Sequence, residues 1–278
     1  IAGRMLRLKQ YYFLASATMQ HMVREHKKRY SDVRTLPDKV AVQINDTHPA
    51  FAIPELMRIL MDEEKLGWDE AYGIVSRIFN YTNHTVMQEA LEVWPGQMFK
   101  ALLPRIYSII LTLNDRFSEK LWKAFPGDWD KISAMSIIAH DEVRMANLCL
   151  AACNRVNGVS QLHGDILKTR TFRDFYVISP EKFVAITNGI TQRRWLAAAN
   201  PALCGLIHDY IGGGFLKDSR ELERLMPLAD DPAFIADFAR VKAQNKRCLA
   251  EYVKKTQGLA LNPETVFDVQ AKRLHEYK

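Results

Sequence analysis

The chain has 278 residues, of which 48% are hydrophobic and 25% charged, the make-up of an ordinary globular protein. That excludes a disordered chain, a collagen and a small disulfide scaffold, and no uncharged apolar run reaches the ~20 residues needed to span a bilayer. The net charge of +6 is local, because residues 1–30 hold seven basic side chains and one acid while the remainder balances.

A nucleic-acid surface would therefore rest on one segment, and no stacking aromatics alternate with its charges. The plainer reading is a solvated helix face, so neither a nucleic-acid nor a membrane partner is expected. Cys149, Cys153, Cys204 and Cys248 match no zinc spacing, so no metal is expected. With no secretory signal at residues 1–10 and no disulfide framework, the expected compartment is the cytoplasm.

Met5, Leu8, Tyr12, Ala15, Met19 and Val23 recur at steps of three or four, which predicts a helix over about residues 4–28. A β-branched run from Val40 to Ile44 predicts a strand, stopped by Asn45-Asp46-Thr47-His48-Pro49. Pro54 suits a first helical turn, and Leu56, Ile59 and Leu60 give that helix its apolar face. A second strand is expected within Ile78 to Val86, then helices over about 89–101 and 103–119, parted at Pro104. Leu148 to Ala152 reads equally as a buried strand or a helix start. Val159 to Leu167 reads as helix and Phe183 to Thr187 as extended, with a turn at Asn188-Gly189. Helices follow over Thr191 to Ala199, Pro201 to Ile211, Ser219 to Met226 and Pro232 to Lys255, then a strand from Val266 to Ala271. Strands separated by helices define a helix-rich α/β class. The last strand is followed only by its exit loop, so the chain reads as a fragment.

Five runs could carry chemistry. Lys272-Arg273-Leu274-His275-Glu276-Tyr277-Lys278 offers three cations that converge on an anion if the loop folds back, or else a solvated tail. In the Asn45 to Pro49 run, Asp46 either orients His48 as an acid–base pair or turns its side chain onto its own backbone. Tyr81-Thr82-Asn83-His84-Thr85 places mixed polar groups at a strand end, as a sugar site needs, although a lone His there also fits a satisfied core residue. Glu89 and Glu92 would share one helical face and so could not flank a sugar, which argues against a hydrolytic dyad. Arg193 and Arg194 sit in a first helical turn against the macrodipole preference, so packing or an acidic partner must hold them. His140-Asp141 and His163 read as structural.

Taken together, Leu6 to Gln10, Asn45 to Pro49, Ile53 to Arg58, Tyr81 to Val86, Val156 to Val159, Thr187 to Trp195 and Phe267 to Lys278 resemble the glycogen/maltodextrin (α-glucan) phosphorylase family, in family order across essentially the whole chain. The resemblance implies a two-domain glycosyltransferase-B-type fold, with residues 1–187 ending the amino-terminal domain and 188–278 beginning the carboxy-terminal one. It implies cleavage of α-1,4-glucan by inorganic phosphate to give glucose 1-phosphate, with pyridoxal phosphate as cofactor and a homodimeric parent. By the same resemblance, His84, Arg273 and Lys278 are catalytic, and Asn188, Val159, Tyr277, Asp46, His48 and Glu92 line the substrate pocket. Lys272, Trp195 and Ala271 lie at the cofactor.

The family's cofactor lysine stands in a Gly/Ser-rich segment that these residues do not contain, so the fragment alone is expected to be inactive. Gln192 replaces a usual proline, and Arg24-Glu25 stands where regulated members carry two arginines, which implies unregulated behaviour. Two other classes stay open: a non-catalytic module binding glucan, phosphate or nucleic acid, and a nucleotide-sugar glycosyltransferase of the same fold.

Overall fold

The computed structural model of the chain describes residues 2–271, which form two compact units divided between Asn188 and Gly189. The first unit opens with a helix, Ala2–Tyr30, whose Leu8, Ala15, Met19 and Val23 are buried as the apolar stripe requires. Seven strands follow: β1 (Val42–Asn45), β2 (Phe79–Thr82), β3 (Val93–Pro95), β4 (Ile138–Ala139), β5 (Glu142–Arg144), β6 (Arg155–Gly158) and β7 (Phe183–Ala185). Four of them form an all-parallel sheet in the order β1-β2-β6-β7, with Val42 opposite Phe79, Tyr81 opposite Val156 and Gly158 opposite Ala185. The other three form a small antiparallel sheet in the order β3-β5-β4.

Parallel strands need crossovers, and helices supply them. Trp68–Ile78 leads into β2, burying Ala71, Ile74, Val75 and Ile78. Pro104–Ala124 buries Ile106, Ile109, Ile110, Leu113, Phe117 and Leu121 along one face. Met145–Ala152 is buried at all eight positions, so the ambiguous run at 148–152 is a core helix, with Cys149 and Cys153 as buried free thiols. Ile44, Phe79, Tyr81 and Val156 from the sheet pack in the same core as Phe51, Ile53 and Met57. Pro54 falls in the first turn of the Ala52–Arg58 helix, where a missing N–H costs little.

The second unit holds a π-type turn (Arg193–Ala198), helices Pro201–Ile211 and Pro232–Gln257, and a 3₁₀ segment (Ser219–Leu228) around Ile207, Ile211 and Phe215. Asp231 caps the long helix by accepting from Ala233 and Phe234 N–H at 2.8 and 2.9 Å, and Gly258 ends it at φ +71°.

Two expectations are overturned. Residues 89–101 are not one helix: Gln88–Ala90 is a single 3₁₀ turn, β3 follows, and the helix begins only at Gly96. Glu89 and Glu92 therefore do not share a helical face. Val266 to Ala271 forms no strand, because a strand needs a neighbour and the described residues of the second unit contain none. Among the described residues no helix is long and apolar enough to cross a membrane, and no cluster of three or more His, Cys, Asp or Glu is placed to hold a metal ion.

Candidate functional site

Because β1, β2, β6 and β7 all run the same way, their carboxyl ends lie side by side, at the edge where open α/β sheets bind ligands. Pairing continues past the strand ends: Asp46 N–H donates to Thr82 O, Asn83 N–H to Asn157 O and Ile186 N–H to Gly158 O, each at 3.0 Å. The ladder thus extends into the first residue of the exit loops after β1, β2 and β7. A row of polar side chains crosses the sheet just before the edge, with Gln43 and Thr82 both donating to Asn157 Oδ1 at 3.2 and 2.8 Å.

After β1, Asp46 takes a left-handed conformation (φ +65°), and its Oδ1 accepts the Thr47 N–H at 2.7 Å. The Asp46 side chain thus turns onto local backbone, and its Oδ2 stays 4.0 Å from His48 Nε2, too far for a direct acid–base pair. Glu92, just before β3, completes this corner. Its Oε2 accepts from Thr47 Oγ1 at 3.0 Å, and its Oε1 lies 3.6 Å from His48 Nδ1. Only 16% of the Glu92 side chain is exposed, and burial raises its carboxyl above the ordinary carboxylate range against the lowering pull of Thr47 and His48.

After β2, buried Asn83 donates to the Tyr81 hydroxyl at 3.1 Å and accepts from Thr85 N–H at 3.0 Å, so the loop folds over its own side chain. His84 is exposed at the edge, its Nε2 in a short contact with Asn45 Oδ1. It is therefore not a core histidine. After β6, Val159 N–H donates to His163 Nδ1 at 3.1 Å, which puts the imidazole proton on Nε2, 3.4 Å from Thr85 O. His163 ties the β6 loop to the β2 loop. Asn188 N–H reaches Val159 O at 3.3 Å, which brings the end of the first unit to the same edge.

Two glycines allow this closeness. A Cβ on Gly158 would lie 2.7 Å from Gly164 N, and one on Gly164 would lie 2.8 Å from Ala185 Cβ. The helix Gln161–Ile166 can press against β6 and β7 only because both are absent.

The first unit thus gathers Asp46, His48, His84, Glu92, Val159 and Asn188 at one edge. Tyr11 also joins it, 37 positions before His48 and marked by nothing local, its hydroxyl 2.9 Å from His48 Nδ1. In the second unit Trp195 is 74% exposed, and Ala271 is exposed. Gln192 donates to Phe215 O and Leu216 O, and Arg193 to Leu216 O at 2.9 Å, so backbone carbonyls and not an acidic partner hold Arg193. Lys272, Arg273, Tyr277 and Lys278 lie outside the described residues. On the amino-terminal helix, Lys27 bonds to Glu64 and Lys28 to Glu25, and Arg4 donates to Val93 O.

A parallel α/β sheet with a hydroxyl-, amide- and carboxylate-lined edge at its strand termini belongs to the class of proteins that bind small polar ligands there. The chain matches the carbohydrate phosphorylase model over residues 1–278, and it belongs to that family. It is 49% identical over 276 residues to a glycogen phosphorylase of Bacillus subtilis (strain 168). It is 47% identical over 287 aligned positions both to the brain form of glycogen phosphorylase from Bos taurus and to the muscle form from Homo sapiens. Each alignment covers 99% of this chain but only 34–35% of the relative, so the chain spans about a third of the length of the curated relatives it matches.

Proposed function

We propose that this chain is a central piece of an α-glucan phosphorylase, in which inorganic phosphate cleaves an α-1,4-linked glucan to release glucose 1-phosphate. The supporting observation is the polar edge itself, set in a chain whose relatives are glycogen phosphorylases. In this reading residues 1–187 end the amino-terminal domain and 188–278 begin the carboxy-terminal one. His84 stands by the reacting sugar carbon, with Asn188 and Val159 holding the glucosyl unit. Asp46, His48 and Glu92 line the polar wall beside it, where neutral sugar hydroxyls need both donors and acceptors. Arg273 and Lys278 supply the cations for substrate phosphate, with Tyr277 against the sugar, because anions passing through a charged transition state need fixed opposite charge. The parent protein is a cytoplasmic homodimer.

Pyridoxal phosphate, through its phosphate group, would supply acid–base chemistry at the substrate phosphate, with Lys272, Trp195 and Ala271 beside it. Trp195 and Ala271 are both exposed. The family's cofactor lysine stands in a segment that these residues do not contain, so the fragment alone is expected to be inactive.

The test is phosphate-dependent release of glucose 1-phosphate from maltoheptaose. The full-length parent should show it and the 278-residue chain should not. Release of nucleoside diphosphate from a nucleotide sugar by the parent, without phosphorolysis, would replace this reading with that of a glycosyltransferase.

A further inference from the structure

The His48 ring is half-exposed, so packing alone does not fix its orientation. Among the described residues, its one contact within ordinary hydrogen-bond distance is the Tyr11 hydroxyl on Nδ1, at 2.9 Å. Tyr11 is itself held on several sides. The edge of Trp94 meets its ring at 6.2 Å, Phe51 lies at 6.4 Å, and the Arg7 guanidinium stands 6.0 Å over it. The His48 ring lies 5.2 Å away at 40°. Burial, then the nearby Glu92 charge, push the Tyr11 phenol above its ordinary value, so at neutral pH it keeps its proton and can donate it.

We propose that Tyr11 is a positioning residue for the sugar pocket: its hydroxyl donates to His48 Nδ1, fixing the neutral imidazole as the Nε2–H tautomer. The imidazole proton then faces the Asp46 side, where Oδ2 lies 4.0 Å from Nε2. That gap is too wide for a direct bond and suits one bridging hydroxyl, which would accept from Nε2–H and donate to Asp46. A sugar hydroxyl does both. A competing arrangement with Nδ1–H donating to Glu92 requires a contact that the 3.6 Å separation does not make; one with Nδ1–H donating to the Tyr11 hydroxyl has the same 2.9 Å separation, and the protonation of Nδ1 distinguishes it.

The tautomer assignment does not depend on the phosphorylase reading, whereas its role in the pocket rests on that reading. Nitrogen NMR of the 15N-histidine-labelled chain at pH 8, with His48 assigned by His48→Gln, should show a pyridine-like Nδ1 and a pyrrole-like Nε2. Tyr11→Phe, which keeps the ring packing, should convert this to a mixture of tautomers. A protonated Nδ1 in the unsubstituted chain, or a pattern unmoved by Tyr11→Phe, overturns the proposal, and the first of these results does not depend on the Tyr11→Phe variant folding. In the full-length parent, Tyr11→Phe should raise KM for glucose 1-phosphate in the synthetic direction about two- to tenfold with kcat unchanged. An unchanged KM overturns the positioning role. A parent with no phosphorolysis at all overturns the functional reading while leaving the tautomer result in place.

Discussion

Glu92 is a residue whose ionised form works against the fold. Its carboxyl is buried beside Thr47 and His48, and burial raises it above the unfolded value of about 4.3. A carboxyl raised on folding favours the native state fully below its unfolded value, and that contribution is lost as pH rises through the folded value. Glu92→Gln keeps an acceptor for Thr47 and removes the buried charge, so it should raise Tm by about 1–3 °C at pH 7. The gain should disappear near pH 4, and an equal gain at both pH values would contradict this origin. Asp46 also works against the fold, because an aspartate at φ +65° is disfavoured and is held by its own bond to Thr47 N–H. No local spacing distinguishes this Asp from an ordinary turn former, so the sequence alone leaves both readings open.

Among the elements, the amino-terminal helix is docked by a buried charge. Glu55, fully buried, accepts from Tyr12, Ser16 and Arg58 at 2.7–2.9 Å. Burial pushes this carboxyl up, but the bonds from Arg58, Ser16 and Tyr12 more than offset it and hold it low. Arg58→Met strands that charge and should destabilise the chain by about 3–5 kcal/mol in urea unfolding. Adding Glu55→Leu should recover most of the loss, and a double variant as unstable as the single one would refute the account. Gly158→Ala should cost about 1–3 kcal/mol, since its Cβ meets the backbone nitrogen of Gly164, which cannot swing aside as a side chain would. The strongly periodic first helix was legible from its stripe. The strand β6 was not, because Arg155-Val156-Asn157-Gly158 has a single large apolar residue, and its identity as a strand comes from the neighbours it pairs with. The hairpin β4–β5 was hidden too, since His140 and Asp141 both adopt positive φ without the glycine that usually announces such a turn.

At the scale of the whole molecule, the sheet has two ends of different character. The carboxyl end carries the Asn45 to Pro49 and Tyr81 to Thr85 runs, whose mixed polar composition was visible in the sequence. What was not visible is that strands β1, β2 and β6 abut, which places Asn45 against His84 and ties Thr85 to His163. Tyr11 was hidden for the same reason, since only the tertiary fold brings residues 37 positions apart into a bond. The opposite end is structural: Lys182 donates to the last carbonyls of the Met145–Ala152 helix, at Leu150 and Ala151, and Tyr72 reaches Ala151 O. If catalysis belongs to the carboxyl end, substitutions at the two ends must differ in kind. The most direct measurement is kcat/KM for phosphorolysis of maltoheptaose by the full-length parent carrying His84→Ala or, at the far end, Tyr72→Phe, each confirmed folded by circular dichroism. We expect His84→Ala to lower kcat/KM by about a hundredfold or more and Tyr72→Phe to leave it within about twofold. Equal losses at both ends, or none at His84, would contradict the placement of the active site at this edge.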